Sequence, residues 1–301
     1  MKEKLKNLKF RKLKISDYEQ FRKLFLDCFK MKVSYKFFKW RYFSDKNSFC
    51  YAAFDNRKLI ANVGMISMKL NNKKKNRVFS RHSSMVDPNF RGLGIFSKLL
   101  IHVKKNIKKR VSVIVMWPNK NNHSNFGFKK KHLIIKKFYI YQTKPGIKTL
   151  KMKIISIAKL NKLKDYLIQN NSFFLKNFSY FNKRYFLYKK EKYIINQFNY
   201  KNFNSFFILK NAENNSDNKY ILLDHFGSSE IKMKHFNSLI NQKKNIIFLS
   251  KKKINHSNFK IINFLNFKLA IMSKSNLEKI NILFKNKDFF LGDTDNFMNL
   301  N

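Results

Sequence analysis

A short stretch with two closely spaced glycines constrains the fold of this chain more than any other part of its sequence. Residues 80–86 favour an extended strand, and the apolar residues of 96–103 recur at helical spacing. Gly92 and Gly94 lie where the strand would become a helix, and glycine permits the tight turn that this change requires. Such a turn directs the free N–H groups and the positive dipole end of the helix toward one point. The pattern therefore predicts an anion-binding site.

The alternative interpretation of two close glycines is a plain turn, which is the commoner case. Here the flanking sequence argues for the anion site. Asp87-Pro88 would end the strand just before the glycines, and the helical pattern begins just after them. Because strand, turn and helix agree, we favour the anion site.

The composition limits the class of protein. The chain has 301 residues, enough for two domains. No apolar run reaches the length of a membrane span, and residues 1–14 lack the apolar segment of a signal peptide. Cys28 and Cys50 cannot form a disulfide framework, and neither the cysteines nor the seven histidines show metal-ligand spacing. We therefore expect a cytoplasmic protein with no membrane span and no metal.

The formal net charge of +48 first suggests a nucleic-acid partner. The lysines, however, are spread along the whole chain, and only nine arginines occur, eight of them before residue 111. No zinc-finger, basic-zipper or aromatic RNA-binding signature is present. We interpret the charge as a solvated lysine surface, and we do not expect nucleic acid as the partner.

The hydrophobic pattern predicts, in chain order, a strand, two helices, three strands, a helix, a strand, a short Asn-rich helical segment and a final strand. A Ser-x-x-Glu capping box at Ser16–Glu19 would begin the first helix. The predicted strands are 8–15, 49–54, 59–70, 80–86, 111–116 and 133–141, and the second helix is 35–43.

Motif and element order together resemble the GNAT superfamily of N-acetyltransferases. The run from Val86 to Ile95 closely resembles its Gln/Arg-x-x-Gly-x-Gly/Ala motif, with Arg91 and Gly94 in the first two fixed positions. Phe96 takes the third position, where the superfamily prefers Gly or Ala, so its ring must point away from the anion. A second signature of the superfamily, an Asn-rich turn and helix ending in Gly-Phe, is matched by Asn119 and by Gly127-Phe128.

This resemblance covers residues 8–142 and implies an α/β fold, with a mixed central sheet flanked by helices. It implies acetyl-coenzyme A as cosubstrate and transfer of its acetyl group to a primary amine, by direct attack in a ternary complex. The acceptor would be a small molecule or a peptide. The residues that it implies for binding acetyl-coenzyme A are Met85, Val86, Arg91, Gly92, Leu93, Gly94, Ile95, Phe96, Ser97 and Asn119.

Two histidines are candidate catalytic residues. His82 resembles a proton-relay histidine of arylalkylamine N-acetyltransferases, and strand alternation would place it on one face with Ser84 and Val86. The alternative is that His82 has a structural role and that a water molecule acts as the base. His123 occupies the position where the superfamily commonly places a Tyr as the general acid. The alternative is that His123 is a solvated loop histidine, with Asn122 or Ser124 close enough to take that role.

The second half of the chain repeats two patterns of the first half. Phe37-Phe38-x-x-Arg41-Tyr42-Phe43 recurs 143 residues later as Tyr180-Phe181-x-x-Arg184-Tyr185-Phe186. Phe96, Leu99 and Leu100 are matched by Phe236, Leu239 and Ile240. These repeats predict a duplicated fold with a catalytic domain at 1–145 and a degenerate GNAT-like domain at 158–301.

Only Gly227 lies where the second half would need its own glycine turn, so we predict that this half binds no pyrophosphate. It would either form one wall of the acceptor pocket or only bury an apolar face of the first half. The alternative function is a noncatalytic GNAT-fold binding protein, a scaffold or nucleic-acid partner. Phe96 and the net charge favour that alternative, whereas the intact Arg91-Gly92-x-Gly94 disfavours it.

Overall fold

The structure of the chain is a computed structural model. It describes residues 7–71, 77–107, 113–117, 133–143, 153–155, 174–186, 193–212, 219–241, 245–250, 253–254, 259–261 and 267–273, with 278 and 282. Among these residues, no helix is both long and apolar enough to cross a membrane.

The first half alternates strands and helices in the predicted order. Its elements are β1 (Leu8–Lys12), α1 (Tyr18–Phe29), α2 (Tyr35–Phe43), β2 (Phe49–Asp55), β3 (Lys58–Lys69), β4 (Arg77–Val86), α3 (Ile95–Ile107), β5 (Val113–Met116) and β6 (Leu133–Thr143). Short 3₁₀ turns at Ile15–Asp17 and Pro88–Phe90 precede α1 and the glycine turn.

The second half follows a similar order among its described residues. Its elements are β7 (Lys153–Ile155), α4 (Phe178–Phe181) with a π-helical turn at Asn182–Phe186, β8 (Tyr193–Tyr200), β9 (Phe203–Asn211), β10 (Lys219–Gly227), α5 (Lys232–Asn241), β11 (Asn245–Ser250), β12 (Phe259–Ile261) and β13 (Phe267–Ser273). The α4 region carries the repeat of the α2 motif, and α5 carries the repeat of α3. The chain therefore has the duplicated α/β fold, with a mixed sheet flanked by helices, that the sequence predicts.

Both halves build a mixed sheet with the same pairings. In the first half β1 to β4 are antiparallel neighbours and β4 pairs with β5 in parallel. In the second half β7 to β10 are antiparallel and β10 pairs with β11 in parallel. Helices on both faces can cover such a sheet, as the amphipathic α1 and α3 do here.

The two halves exchange their last strands. β13, from the second half, lies between β5 and β6 and is antiparallel to both. β6, from the first half, pairs in turn with β11 of the second half. The resulting strand order is β1-β2-β3-β4-β5-β13-β6-β11-β10-β9-β8-β7. The division at residues 145 and 158 stays a prediction, and this exchange carries strands across it.

The core has separate parts on the two faces of the first sheet. On one face α3 packs through Ile95, Leu99 and Val103, which are at most 1% exposed. On the other face α1 and α2 pack through Phe21 and Phe38, both fully buried. A third cluster joins the halves, since Val78 and Val113 of the first half pack with Phe181 of the second.

The predicted capping box at Ser16–Glu19 is wrong. The N-cap of α1 is Asp17, and α1 begins at Tyr18. Asp17 instead accepts hydrogen bonds from the Lys14 N–H at 2.7 Å and from the Arg11 guanidinium at 2.7 and 2.8 Å. The strand β1 ends at Lys12 and does not extend to Ile15, where a 3₁₀ turn begins.

Candidate active site

The glycine turn has the geometry that the sequence predicts. Gly92 and Gly94 have φ angles of +79° and +71°, in the left-handed region where glycine is favoured. A Cβ added at either glycine would meet no protein atom within 4 Å. The space beside both glycines is therefore open, and a side chain there would strain the backbone without colliding with the protein.

Helix α3 begins directly after this turn. Its Lys98 N–H donates to the Gly94 carbonyl at 3.1 Å. The N–H groups of Ile95 and Phe96 precede that bond, in the first turn of the helix, where no carbonyl lies one turn back within the helix. They lie at the positive end of the dipole of a 13-residue helix. This arrangement can bind a phosphate-like anion.

Asp87 fixes the entrance to the turn. Its N–H donates to the Ile60 carbonyl at 2.8 Å, and its carboxylate accepts from the Asn89 N–H at 3.0 Å. Lys58 forms an ion pair with the same carboxylate at 2.8 Å. Burial alone would raise the pKa of Asp87, but the Lys58 ammonium and the Asn89 N–H lower it overall. Asp87 therefore stays charged and holds the turn at the end of β4.

Phe96 does not block the turn. It packs against the buried cluster beneath α3, beside Ile95, which is 1% exposed. Its ring also faces the guanidinium of Arg81, 5.7 Å away. Burial lowers the pKa of Arg81 to about 10. The ring therefore points into the protein, and only the backbone N–H of Phe96 is needed by an anion.

Arg91 lies along the end of β4. Its Nε donates to the Val86 carbonyl at 3.3 Å, and the Cys28 thiol donates to the same carbonyl at 3.3 Å. Burial raises the pKa of Cys28 in spite of the nearby Arg91 guanidinium. Arg91 is exposed, so its charge is available at the rim of the turn.

Strands β4 and β5 separate just before this region. Their pairing runs from Val78↔Val113 to Arg81↔Met116. β5 ends there, so from His82 onward the described part of the chain places no strand beside that edge of β4. Because Asp87 donates to Ile60 on β3, strand alternation turns the N–H of the preceding Val86 away from β3, toward the open side. Met85, also at this fork, is 2% exposed.

A β-bulge in β4 overturns the prediction that His82, Ser84 and Val86 share one face. Ser83 has a φ of +47°, and the pairing with β3 shifts between Gly64↔His82 and Asn62↔Met85. The Asn62 amide donates to the Ser83 carbonyl at 3.1 Å, and the Tyr42 and Ser83 hydroxyls share a hydrogen bond. The extra residue reverses the alternation. Val86 consequently packs on the α3 side of the sheet.

His82 therefore faces the other side of the sheet, where a cavity of about 270 Å³ lies. The His82 side chain is 7% exposed. The cavity is lined by α2 and β3 of the first half and by residues 175–184 of the second half. His82 directly follows Arg81, the last residue of β4 that pairs with β5, so the cavity lies beside the fork between these strands.

Of the other predicted site residues, Asn119 and His123 lie outside the described residues, as do Asn122 and Ser124. Sequence reasoning missed the charged residues that line the cavity. These are Arg41, Asp45, Lys69, Lys183 and Arg184. The repeat of the α2 motif contains both arginines, so the repeat was the signal that could have found them.

Comparison with known protein families finds a match in the first half. Residues 9–129 match the family model of the acetyltransferase (GNAT) domain. The matched stretch contains the glycine turn and helix α3. No curated protein matches the chain by sequence.

Solved structures extend the GNAT likeness over both halves. A GCN5-related N-acetyltransferase from Anabaena variabilis superposes with a TM-score of 0.64 at 11% identity, over 88% of this chain and 72% of that one. A conserved protein of unknown function from Enterococcus faecalis gives 0.63 at 12% identity, with the same coverage. A GCN5-related N-acetyltransferase from Kribbella flavida gives 0.59 at 8% identity, over 88% and 70%. At these identities, the likeness shows the shared fold.

Proposed function

We propose that this chain transfers an acetyl group from acetyl-coenzyme A to a primary amine, by direct attack in a ternary complex. The observation that carries the proposal is the pair of positive-φ glycines, Gly92 and Gly94, at the start of α3. The N–H groups of Ile95, Phe96 and Ser97 would hold the pyrophosphate of the donor. Leu93 belongs to the same turn, and Arg91 would add its charge at the rim.

The residues of the turn fit this donor. The open space beside the glycines lets a pyrophosphate approach the backbone closely. The Phe96 ring packs inward, so the departure from the usual Gly or Ala removes no space from the donor. When bound, acetyl-coenzyme A supplies an activated acetyl thioester.

The thioester end of the donor would lie in the fork between β4 and β5. The N–H of Val86 points toward the open side and would donate to the thioester carbonyl oxygen. The neighbouring Met85 backbone would contact the pantetheine arm. A donor that enters the fork lies against the cavity that contains His82. The chain's own part is therefore to hold and orient the reacting groups.

His82 would accept the proton of the amine, since it lines the cavity next to the fork. Direct attack is favoured because neither cysteine suits a covalent route. Burial raises the pKa of both thiols, Cys28 and Cys50, and a thiolate would be needed for attack. The alternative base is a water molecule, which the His82 variant below would distinguish.

The test is to measure donor binding and turnover separately. Calorimetry of the full chain with acetyl-coenzyme A measures binding, and thiol release with a panel of primary amines measures acetyl transfer. We expect micromolar binding and saturable thiol release with at least one amine. Donor binding without turnover on any amine would indicate the noncatalytic binding protein, and no donor binding would overturn the proposal.

A further inference from the structure

The cavity beside His82 lies between the two halves of the chain. The first half contributes the end of α2, β3 and His82, and the second half contributes a wall that includes Tyr180, Lys183 and Arg184. Two backbone contacts fix this wall against β3. Leu175 N–H donates to the Lys69 carbonyl at 2.7 Å, and Leu70 and Phe174 form a β-bridge. The cavity is thus built by both halves.

The charge of the cavity lining is strongly positive. Among the residues that the structure describes, the charged ones in the lining are Arg41, Lys69, Lys183, Arg184 and Asp45, four cations and one carboxylate. That carboxylate is already engaged, because it accepts from the Lys183 ammonium at 3.3 Å and from the Asn47 N–H at 2.9 Å. The described part of the lining therefore carries three more positive charges than negative ones, counting lysine, arginine and carboxylate side chains.

The two arginines are positioned by the sequence repeat. Arg41 lies in the last turn of α2, and Arg184 lies at the equivalent place in the π-helical turn after α4. Each is 8% exposed, and both line the cavity. A guanidinium presents a planar fork of donors that fits a carboxylate or a phosphate.

We infer that the acceptor amine also carries an anionic group, a carboxylate or a phosphate, which Arg41 and Arg184 bind across the cavity. This inference rests on the proposed function and names the class of its acceptor. The amine would lie toward His82 and the fork, and the anion toward the two arginines. A polycationic amine is disfavoured, because it would place further positive charge in a positively charged cavity.

Matched pairs of amines test this inference. Phenylalanine differs from phenethylamine only by a carboxylate. Glucosamine 6-phosphate differs from glucosamine only by a phosphate. We expect at least one acid-bearing member to have a kcat/KM roughly 10- to 100-fold above its neutral partner, the range for a charged hydrogen bond. Spermidine should be a poor acceptor. Equal or better turnover of the neutral and polycationic amines would overturn the inference.

Variants of the second-half arginine connect this preference to the cavity. Arg184→Gln should remove most of the preference through KM, and Arg184→Lys should remove part of it, because the charge stays while the fork is lost. In both variants the neutral amine of the pair should lose less turnover than its acid-bearing partner. Lys201→Gln, on the β8–β9 turn away from the cavity, is the control. An equal loss for both amines of a pair would contradict the inference.

A binding measurement separates this inference from the proposed function. O-Phosphoethanolamine, ethanolamine and β-alanine are titrated against the full chain without donor, and the fluorescence of Trp40 on the cavity wall reports binding. Saturable binding of either acid that is lost in Arg184→Gln would support the anion site even if no amine were acetylated. Acetylation of neutral amines with no binding of either acid would overturn the anion site and leave the proposed function intact.

Discussion

The indole Nε1 of Trp40 donates a hydrogen bond of 2.6 Å to the main-chain carbonyl of Lys183. These two residues are repeat equivalents, 143 positions apart in the duplicated motif. The Lys183 ammonium also reaches Asp45, two residues past the end of α2, at 3.3 Å. The two copies of the motif therefore face each other directly, and their contact forms the base of the cavity that both halves line.

We expect Trp40→Phe to destabilise the protein through this contact. The substitution keeps an aromatic ring but replaces the indole by a smaller phenyl group without an N–H, which leaves the partly buried Lys183 carbonyl without this donor. The free energy of unfolding in urea should fall by about 1 kcal/mol. Tyr35→Phe, an exposed position on the same helix, is the control and should change it by less than about 0.5 kcal/mol. Equal effects of the two substitutions would argue that the Trp40 hydrogen bond contributes no stability.

Gly94→Val should abolish most of the donor binding while the protein stays folded. The side chain would oppose the positive φ of +71° and fill the space that a pyrophosphate needs. Calorimetry with coenzyme A should show a loss in affinity of roughly 100-fold or more, whereas the strain should cost only about 1–2 kcal/mol of stability. Unchanged affinity would remove the turn from the donor site.

Gly227→Ala should destabilise the protein without weakening donor binding. A Cβ at this position would lie 2.4 Å from the Asn204 carbonyl oxygen, so the backbone between β9 and β10 would have to move. We expect a clear fall in thermal midpoint with unchanged affinity for coenzyme A per folded molecule. This variant is the matched control for Gly94→Val, since both replace a positive-φ glycine, one in each half. A loss of donor affinity here would place the donor in the second half.

His82→Gln tests the proposed base. Turnover should fall roughly 100-fold and the acidic limb of the pH profile should change, with little effect on donor affinity. His102→Gln, on α3 away from the cavity, is the control and should leave the profile unchanged. A near-normal rate and profile in His82→Gln would instead identify water as the base.

The second half contains a buried polar cluster that should make the protein sensitive to acid. His235 shares hydrogen bonds with Asn196 at 2.5 Å and with the Ser205 hydroxyl at 3.0 Å, and His225 contacts the same hydroxyl at 2.9 Å. Burial lowers the pKa of His235 to about 3 and also lowers the pKa of His225. Both imidazoles are therefore neutral in the folded protein.

The sign of the pH effect follows from this lowered pKa. Below about pH 6.5 the unfolded chain takes up protons that buried His235 cannot, so stability falls with pH until about 3. At pH 5 this residue should lower the free energy of unfolding by about 2 kcal/mol relative to pH 8. In urea unfolding, the free energy of unfolding of His235→Gln should fall less between pH 8 and pH 5 than that of the unsubstituted protein. Parallel loss in both proteins would show that other groups cause it.

The strand exchange predicts that the halves cannot be separated without loss. Residues 1–145 alone would lack β13, which fills the place between β5 and β6, and both strands would have open edges. We expect this fragment to show no cooperative unfolding transition by circular dichroism. Mixing it with residues 146–301 should restore the transition, because β13 and β6 can then pair. A cooperative transition in residues 1–145 alone would show that the exchange is dispensable.

The sequence determined the local elements because their signals are local. The glycine turn of Gly92 and Gly94, helix α2 and the order of strands follow from φ requirements and from hydrophobic period, which neighbouring residues set. The duplication was also readable, since its motif with Arg41 and Arg184 recurs in the chain itself. These features do not depend on what a residue meets in space.

Only the tertiary structure decided the side of the sheet on which His82 lies, the place of β13 and the charge of the cavity. One extra residue in β4 reverses the side-chain alternation, and Ser83 at this bulge forms hydrogen bonds with Asn62 and Tyr42, which are distant in sequence. β13 pairs with β5 across 150 residues or more. The cavity collects cations from both halves, so its charge arises from long-range packing and from no single stretch of the chain.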